Sequence, residues 1–137
     1  RRHPRNVPHP RLVEGQMQGG ITKGAGQILG GQAIYDQETG QLLTGSFMDY
    51  PMPRAVLVDG LRVLHHPVPT KTNPLGAKGV GEAGVTGSMP CIMNAIADAL
   101  RQAGVTRFDM PATQGRVWAA LQAAKAGKPD AYAVTFA

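Results

Sequence analysis

Residues 78–100, KGVGEAGVTGSMPCIMNAIADAL, change character partway along. The first seven form a glycine-rich run with one cation, Lys78, and one carboxylate, Glu82. Beyond them Met89, Ile92, Met93, Ile96 and Leu100 recur at the spacing of a single helix face. Ser88 is placed to cap that helix, since a serine oxygen accepts from a first-turn N–H that has no partner inside the helix, and Gly104 supplies the stop. The segment predicts a glycine turn delivered onto the start of an amphipathic helix.

Downstream, Thr113 can cap a further helix with Val117, Ala120, Leu121 and Ala124 facing inward. Gly127 and Pro129 end it, and Lys125 and Lys128 suit its negative end. Upstream, Pro67, Pro69 and Pro74 enforce an extended approach to the glycine run, because proline removes a donor and biases its predecessor away from helix. Ile34 to Tyr35, Leu42 to Met48 and Leu61 to His65 read as short strands, the first two joined by a turn through Asp36 to Gly40.

Between Leu12 and Ala33, Val13, Met17, Ile21, Ile28 and Leu29 fall near helical spacing. This predicted helix also holds Gly15, Gly19, Gly20, Gly24, Gly26, Gly30 and Gly31, although an interior glycine costs roughly 0.5–1 kcal/mol relative to alanine. So many of them point to close approach, where backbone without Cβ atoms lies directly against another element or a ligand. A membrane-type GxxxG reading fits poorly, since Gln16, Gln18, Lys23 and Gln27 interrupt the stretch. The expected fold class is α+β, a small mixed sheet with packed helices. Its expected organisation is an irregular basic segment over 1–11, the main portion of a domain over 12–128 and a tail over 129–137.

Hydrophobic residues make up 42% and charged residues 17% of the 137, enough apolar content to exclude a disordered chain. The 18 glycines and 11 prolines follow no fixed period, which excludes a collagen-like or linker reading. The net charge is +5, but four of the fourteen basic residues are Arg1, Arg2, Arg5 and Arg11, so the excess is an end effect. No pattern of interleaved aromatic and basic residues accompanies it, which argues against nucleic acid as a partner. The single cysteine, Cys91, is expected in the core and excludes an internal disulfide. No stretch reaches the roughly 18 apolar residues of a membrane span, and a cytoplasmic chain is expected.

The residues most able to carry chemistry lie in the glycine run. Backbone N–H groups there can converge on an anion, with Lys78 adding charge, yet no GKS or GKT closes a P-loop, and such a run serves equally as a structural turn. Glu82, between Gly81 and Ala83, has no neighbouring side chain to shield it. In an apolar pocket desolvation raises a carboxyl pKa and fits it for proton abstraction, whereas an isolated glutamate in a loop is also an ordinary surface residue.

The strings LVEGQMQGGITKGAGQILGGQAIYD, GQLLTGSFMDYPMPRA, PTKTNPLGAKGVGEAGVTGSMPCIMNAIADAL and FDMPATQGRVWAAL, in this order, resemble the end of the large subunit of molybdenum hydroxylases, the xanthine dehydrogenase, aldehyde oxidase and aerobic carbon monoxide dehydrogenase family. The resemblance runs from about Leu12 to Lys125. It implies that Glu82 is the catalytic base, taking a proton as water-derived oxygen is transferred to an electrophilic carbon of carbon monoxide, an aldehyde or an N-heterocycle. It implies that Lys78, Gly79, Val80 and Gly81 lie beside a molybdopterin, in its cytosine dinucleotide form, and that Gln16 hydrogen-bonds this cofactor. No protein side chain here is expected to ligate molybdenum. The implied partners are the remainder of the large subunit, an FAD subunit and an iron-sulfur subunit. The alternative from another class is a non-catalytic remnant or docking domain of the same family.

Other polar residues receive structural readings. His65 and His66 are adjacent, so on a strand they would face opposite ways and could not share a metal. Asp49 and Arg54 could form an ion pair or line a channel, with a structural turn the favoured reading, and Trp118 and Met93 are expected in the core.

Overall fold

The computed structural model describes Val7 and residues 9–128, with the side chains of residues 57 and 58 excepted. The tail expected over 129–137 and most of the segment 1–11 lie outside these residues. Three α-helices, α1 (Pro10–Leu29), α2 (Ala83–Gln102) and α3 (Gln114–Lys125), carry the architecture, with one 3-10 turn at Ala55–Val58 in the long connection between α1 and α2.

α1 opens two residues before the expected Leu12. Proline at its first position loses no helical hydrogen bond, and His9 Nδ1 accepts from the Leu12 N–H at 3.3 Å. Most of its glycines have close neighbours. A Cβ at Gly20 would stand 2.9 Å from the Val85 nitrogen, one at Gly26 2.6 Å from Pro53 Cδ, and one at Gly31 2.6 Å from the Tyr50 hydroxyl. The helix thus receives α2 at one set of glycines and the 50–53 loop at another. Gly15 and Gly19 have open space around them, and nothing in the chain requires glycine there.

α2 begins at Ala83, six residues earlier than a Ser88 cap predicts. Ser88 instead lies buried inside the helix, its hydroxyl donating to the Val85 carbonyl at 3.2 Å. The longer helix therefore contains Pro90, although interior proline costs roughly 3 kcal/mol. Tertiary packing offsets this: Gly84 is buried directly on the α1 backbone, and Gly24 of α1 faces Ser88 and Met89 one turn further on. The helix ends as expected, with Gly104 at φ +86°. Thr113 does cap α3, its hydroxyl accepting from the Arg116 N–H at 3.4 Å.

The core joins Ile28 of α1, Leu100 of α2 and Ala120 of α3 with Val105, Phe108 and Ala112 of the connection, and Met93 packs against it. Trp118 is 64% exposed and Cys91 is also exposed, so neither takes the core position expected of it.

No sheet forms among the described residues, which corrects the α+β expectation to a helical architecture. The turn through Asp36 to Gly40 is present, with Asp36 Oδ1 accepting from the Thr39 N–H at 2.8 Å and its hydroxyl at 2.6 Å. Pairing beyond it is limited to one isolated antiparallel bridge, Tyr35 with Leu42. The predicted strand at 42–48 is broken by a turn in which the Tyr50 N–H donates to the Ser46 carbonyl at 2.8 Å. Leu61 to His65 forms no regular element. Two strands without a third strand or a buried face are marginal, and Phe47 and Met48 are 83% and 94% exposed.

Candidate active site

The glycine loop is launched from a tightly closed turn. Asn73 Oδ1 accepts from the Ala77 N–H and Asn73 Nδ2 donates to the Ala77 carbonyl, both at 3.0 Å, while the Thr70 N–H donates to the Gly76 carbonyl at 3.1 Å. Gly76 sits at φ +63°, a left-handed conformation, and a Cβ there would stand 2.9 Å from Pro69 Cβ. From this anchor the chain passes through Lys78, Gly79, Val80 and Gly81. Among the described residues none of these four N–H groups has a hydrogen-bond acceptor, and Lys78 makes no ion pair. The Val80 carbonyl then accepts from the Ala83 N–H at 3.1 Å, turning the chain into α2.

Glu82 occupies the position preceding the first residue of α2. Its carbonyl accepts from the Thr86 N–H at 3.0 Å and from the Thr86 hydroxyl at 2.9 Å, but its side chain makes no capping bond. The residue is exposed, so among the described residues none supplies apolar surroundings that would desolvate the carboxylate. Gln16 is likewise exposed, on the second turn of α1.

The two residues belong to elements that meet backbone to backbone. A Cβ on Gly84 would lie 2.5 Å from the Met17 carbonyl oxygen and 3.0 Å from the Ile21 nitrogen. Contacts advance along both helices in the same sense, from Met17 and Gly20 against Gly84 to Gly24 against Ser88. Gln16, one residue before Met17, and Glu82, two before Gly84, therefore stand at the same end of the crossing. The expectation left this arrangement out. Its signal was the pairing of Gly20-x3-Gly24 with Gly84-x3-Ser88, small residues one turn apart on both helices.

Lys78, Gly79 and Val80 line a cleft of about 390 Å³ whose other walls include Val13 and Met17 of α1. Gln16, Gly81 and Glu82 are outside its lining. His65 and His66 both border it, which their strand-like alternation did not predict. Asp49 accepts from the Ser46 hydroxyl at 2.6 Å and, among the described residues, forms no ion pair with Arg54, consistent with a plain turn.

The donor set suits a ligand rich in acceptor oxygens: four unsatisfied N–H groups, one lysine and glycines that leave the backbone approachable. A pterin dithiolene with its phosphate fits that set.

Residues 6–58 match the family described as molybdopterin cofactor-binding domain. The chain is 40% identical over 114 residues to the carbon monoxide dehydrogenase large chain of Hydrogenophaga pseudoflava, covering 83% of this chain and 14% of that protein. It is 36% identical over 111 residues to the nicotine 6-hydroxylase large subunit of Paenarthrobacter nicotinovorans, covering 81% of this chain and again 14% of the relative. The crystal structure of quinoline 2-oxidoreductase from Pseudomonas putida 86 superposes with a TM-score of 0.75 at 36% identity, over 82% of this chain and 14% of that one. The chain thus spans about 14% of the length of the relatives it matches. From the order of its motifs, and from helices that superpose on a solved relative at this level of identity, the chain belongs to the molybdopterin-binding large-subunit family that includes the carbon monoxide dehydrogenase large chains.

Proposed function

We propose that this chain is the part of a molybdenum hydroxylase large subunit that carries the catalytic base, Glu82, together with one wall of the cofactor site. The observation that carries the reading is a carboxylate without a hydrogen-bond partner among the described residues, held at a helix start directly after four N–H groups that also lack one.

When bound, the molybdenum-pterin group supplies the two-electron oxidation that installs a water-derived oxygen on an electrophilic carbon. Lys78, Gly79, Val80 and Gly81 hold the cofactor through backbone N–H donors and the lysine charge. Gln16 orients it through a neutral amide, which can donate without adding charge near the metal. Glu82 removes a proton at its carboxylate oxygen as the new carbon–oxygen bond forms, a role that requires only a positioned base. The rest of the large subunit covers Glu82 and excludes water from it, because this chain leaves it exposed. The reading would add an FAD subunit and an iron-sulfur subunit as partners able to take up the electrons, a cytoplasmic setting and the cytosine dinucleotide form of the cofactor.

Carbon monoxide, aldehydes and N-heterocycles are the substrate classes to assay. The test is Glu82→Gln in the full-length assembled enzyme. The expected result is a fall of about 10²–10⁴-fold in hydroxylation with molybdenum content retained. Unchanged turnover at full metal loading sinks the assignment.

A further inference from the structure

We propose that Gly84 is a positioning residue: its seat on the α1 backbone sets where Glu82 stands relative to Gln16. The inference rests on the assignment of those two residues to the site and adds to it the part that fixes their separation.

The crossing of α1 and α2 has three fastenings of different kinds. Farthest from the site, Ile28 and Leu100 join the common core. In the middle, Gly24 receives the Ser88 and Met89 side chains. Nearest the site, Gly84 meets α1 with backbone alone, against the Met17 carbonyl oxygen, the Ile21 nitrogen and Gly20 Cα. The third acts where displacement passes directly to Glu82, two residues away and in the turn that opens α2.

The geometry gives the size of that displacement. A Cβ at Gly84 would lie 2.5 Å from the Met17 oxygen, where an ordinary contact begins at 3.4 Å, so alanine forces the first turn of α2 back by about 1 Å. Neither neighbour can swing aside, because both are main-chain atoms of a continuous helix. A shift of about 1 Å in a catalytic group costs about 10²-fold in rate. Gly87, three residues further along the same helix, has nothing within 4 Å of an added Cβ and is the matched control.

Two measurements test this in the full-length assembled enzyme. In the first, Gly84→Ala lowers kcat about 10²-fold with KM changed less than about threefold and molybdenum content unchanged, while Gly87→Ala behaves as wild type. The second does not use activity. In crystal structures of the assembled enzyme, the Gln16–Glu82 Cα separation of Gly84→Ala differs from wild type by about 1 Å, while that of Gly87→Ala is unchanged. Should Gly84→Ala fail to accumulate folded protein, Gly20→Ala takes its place. Its Cβ would stand 2.9 Å from the Val85 nitrogen, a milder intrusion with a smaller expected loss in the same direction. An unchanged Gln16–Glu82 separation in the folded variant, or a loss of kcat that merely tracks lost molybdenum, overturns the proposal. Failure of Glu82→Gln to slow turnover counts against the base assignment alone, since the measured separation still reads the positioning.

Discussion

Ala112 donates its backbone N–H to the Ile28 carbonyl at 2.6 Å, tying the approach to α3 to the one large side chain of α1 that is wholly buried. Ile28 therefore serves the core twice, by packing and by accepting this bond. Ile28→Ala should destabilise the protein by roughly 2–5 kcal/mol, the range for emptying a buried aliphatic position, as read by urea unfolding.

The glycines of α1 should divide by what surrounds them. Gly24→Ala drives a Cβ into Ser88 and should cost about 1–3 kcal/mol, as overpacking does. Gly19→Ala meets open space and should stabilise the helix by up to about 1 kcal/mol. Thermal unfolding of the two variants side by side should move in opposite directions.

Thr113→Ala removes the hydroxyl that caps α3 and should cost about 1 kcal/mol. Amide exchange at Arg116 should quicken while exchange near Leu100 stays slow, because the loss is confined to the first turn of α3.

The hydroxyl of Thr39, and then its N–H, hold the Asp36 carboxyl below the usual carboxylate range. With the folded-state value depressed, the contribution to stability is present above the unfolded carboxylate pKa and is lost as pH falls through the folded value. Thr39→Val keeps the N–H and removes the hydroxyl, so the Asp36 titration followed by NMR should move upward part of the way towards normal. A midpoint that stays put would show that the hydroxyl contributes nothing.

What could be read from sequence follows from how local each cause is. The Thr113 cap and the glycine stop after α2 depend on a few adjacent residues, and both are where the pattern places them. The start of α2 is not, because Ser88 followed closely by Pro90 imitates a helix beginning, while the contact that extends the helix to Ala83 lies on α1, more than sixty residues away. The alternation at 42–48 and 61–65 is compatible with strands, but a strand also needs a partner edge, and none forms among the described residues. Trp118 sits at helical spacing with the core residues of α3 yet points away from them, since apolar identity alone does not choose a face. For the site, the glycine run was legible from composition. That its carboxylate shares an end of a helix crossing with Gln16 was not, because the small residues one turn apart, Gly20 and Gly24 on α1 and Gly84 and Ser88 on α2, are a signal only once the two helices are paired.

Pro90 has no N–H to return to the Thr86 carbonyl, so the ladder of α2 is interrupted between its opening turns and its core-facing half. The two halves are secured by different neighbours, the first by α1 glycines and the second by the cluster around Leu100. Opening of the first stretch therefore need not melt the second, and hydrogen exchange should resolve the two, with Glu82 at the outer edge of the stretch seated on α1.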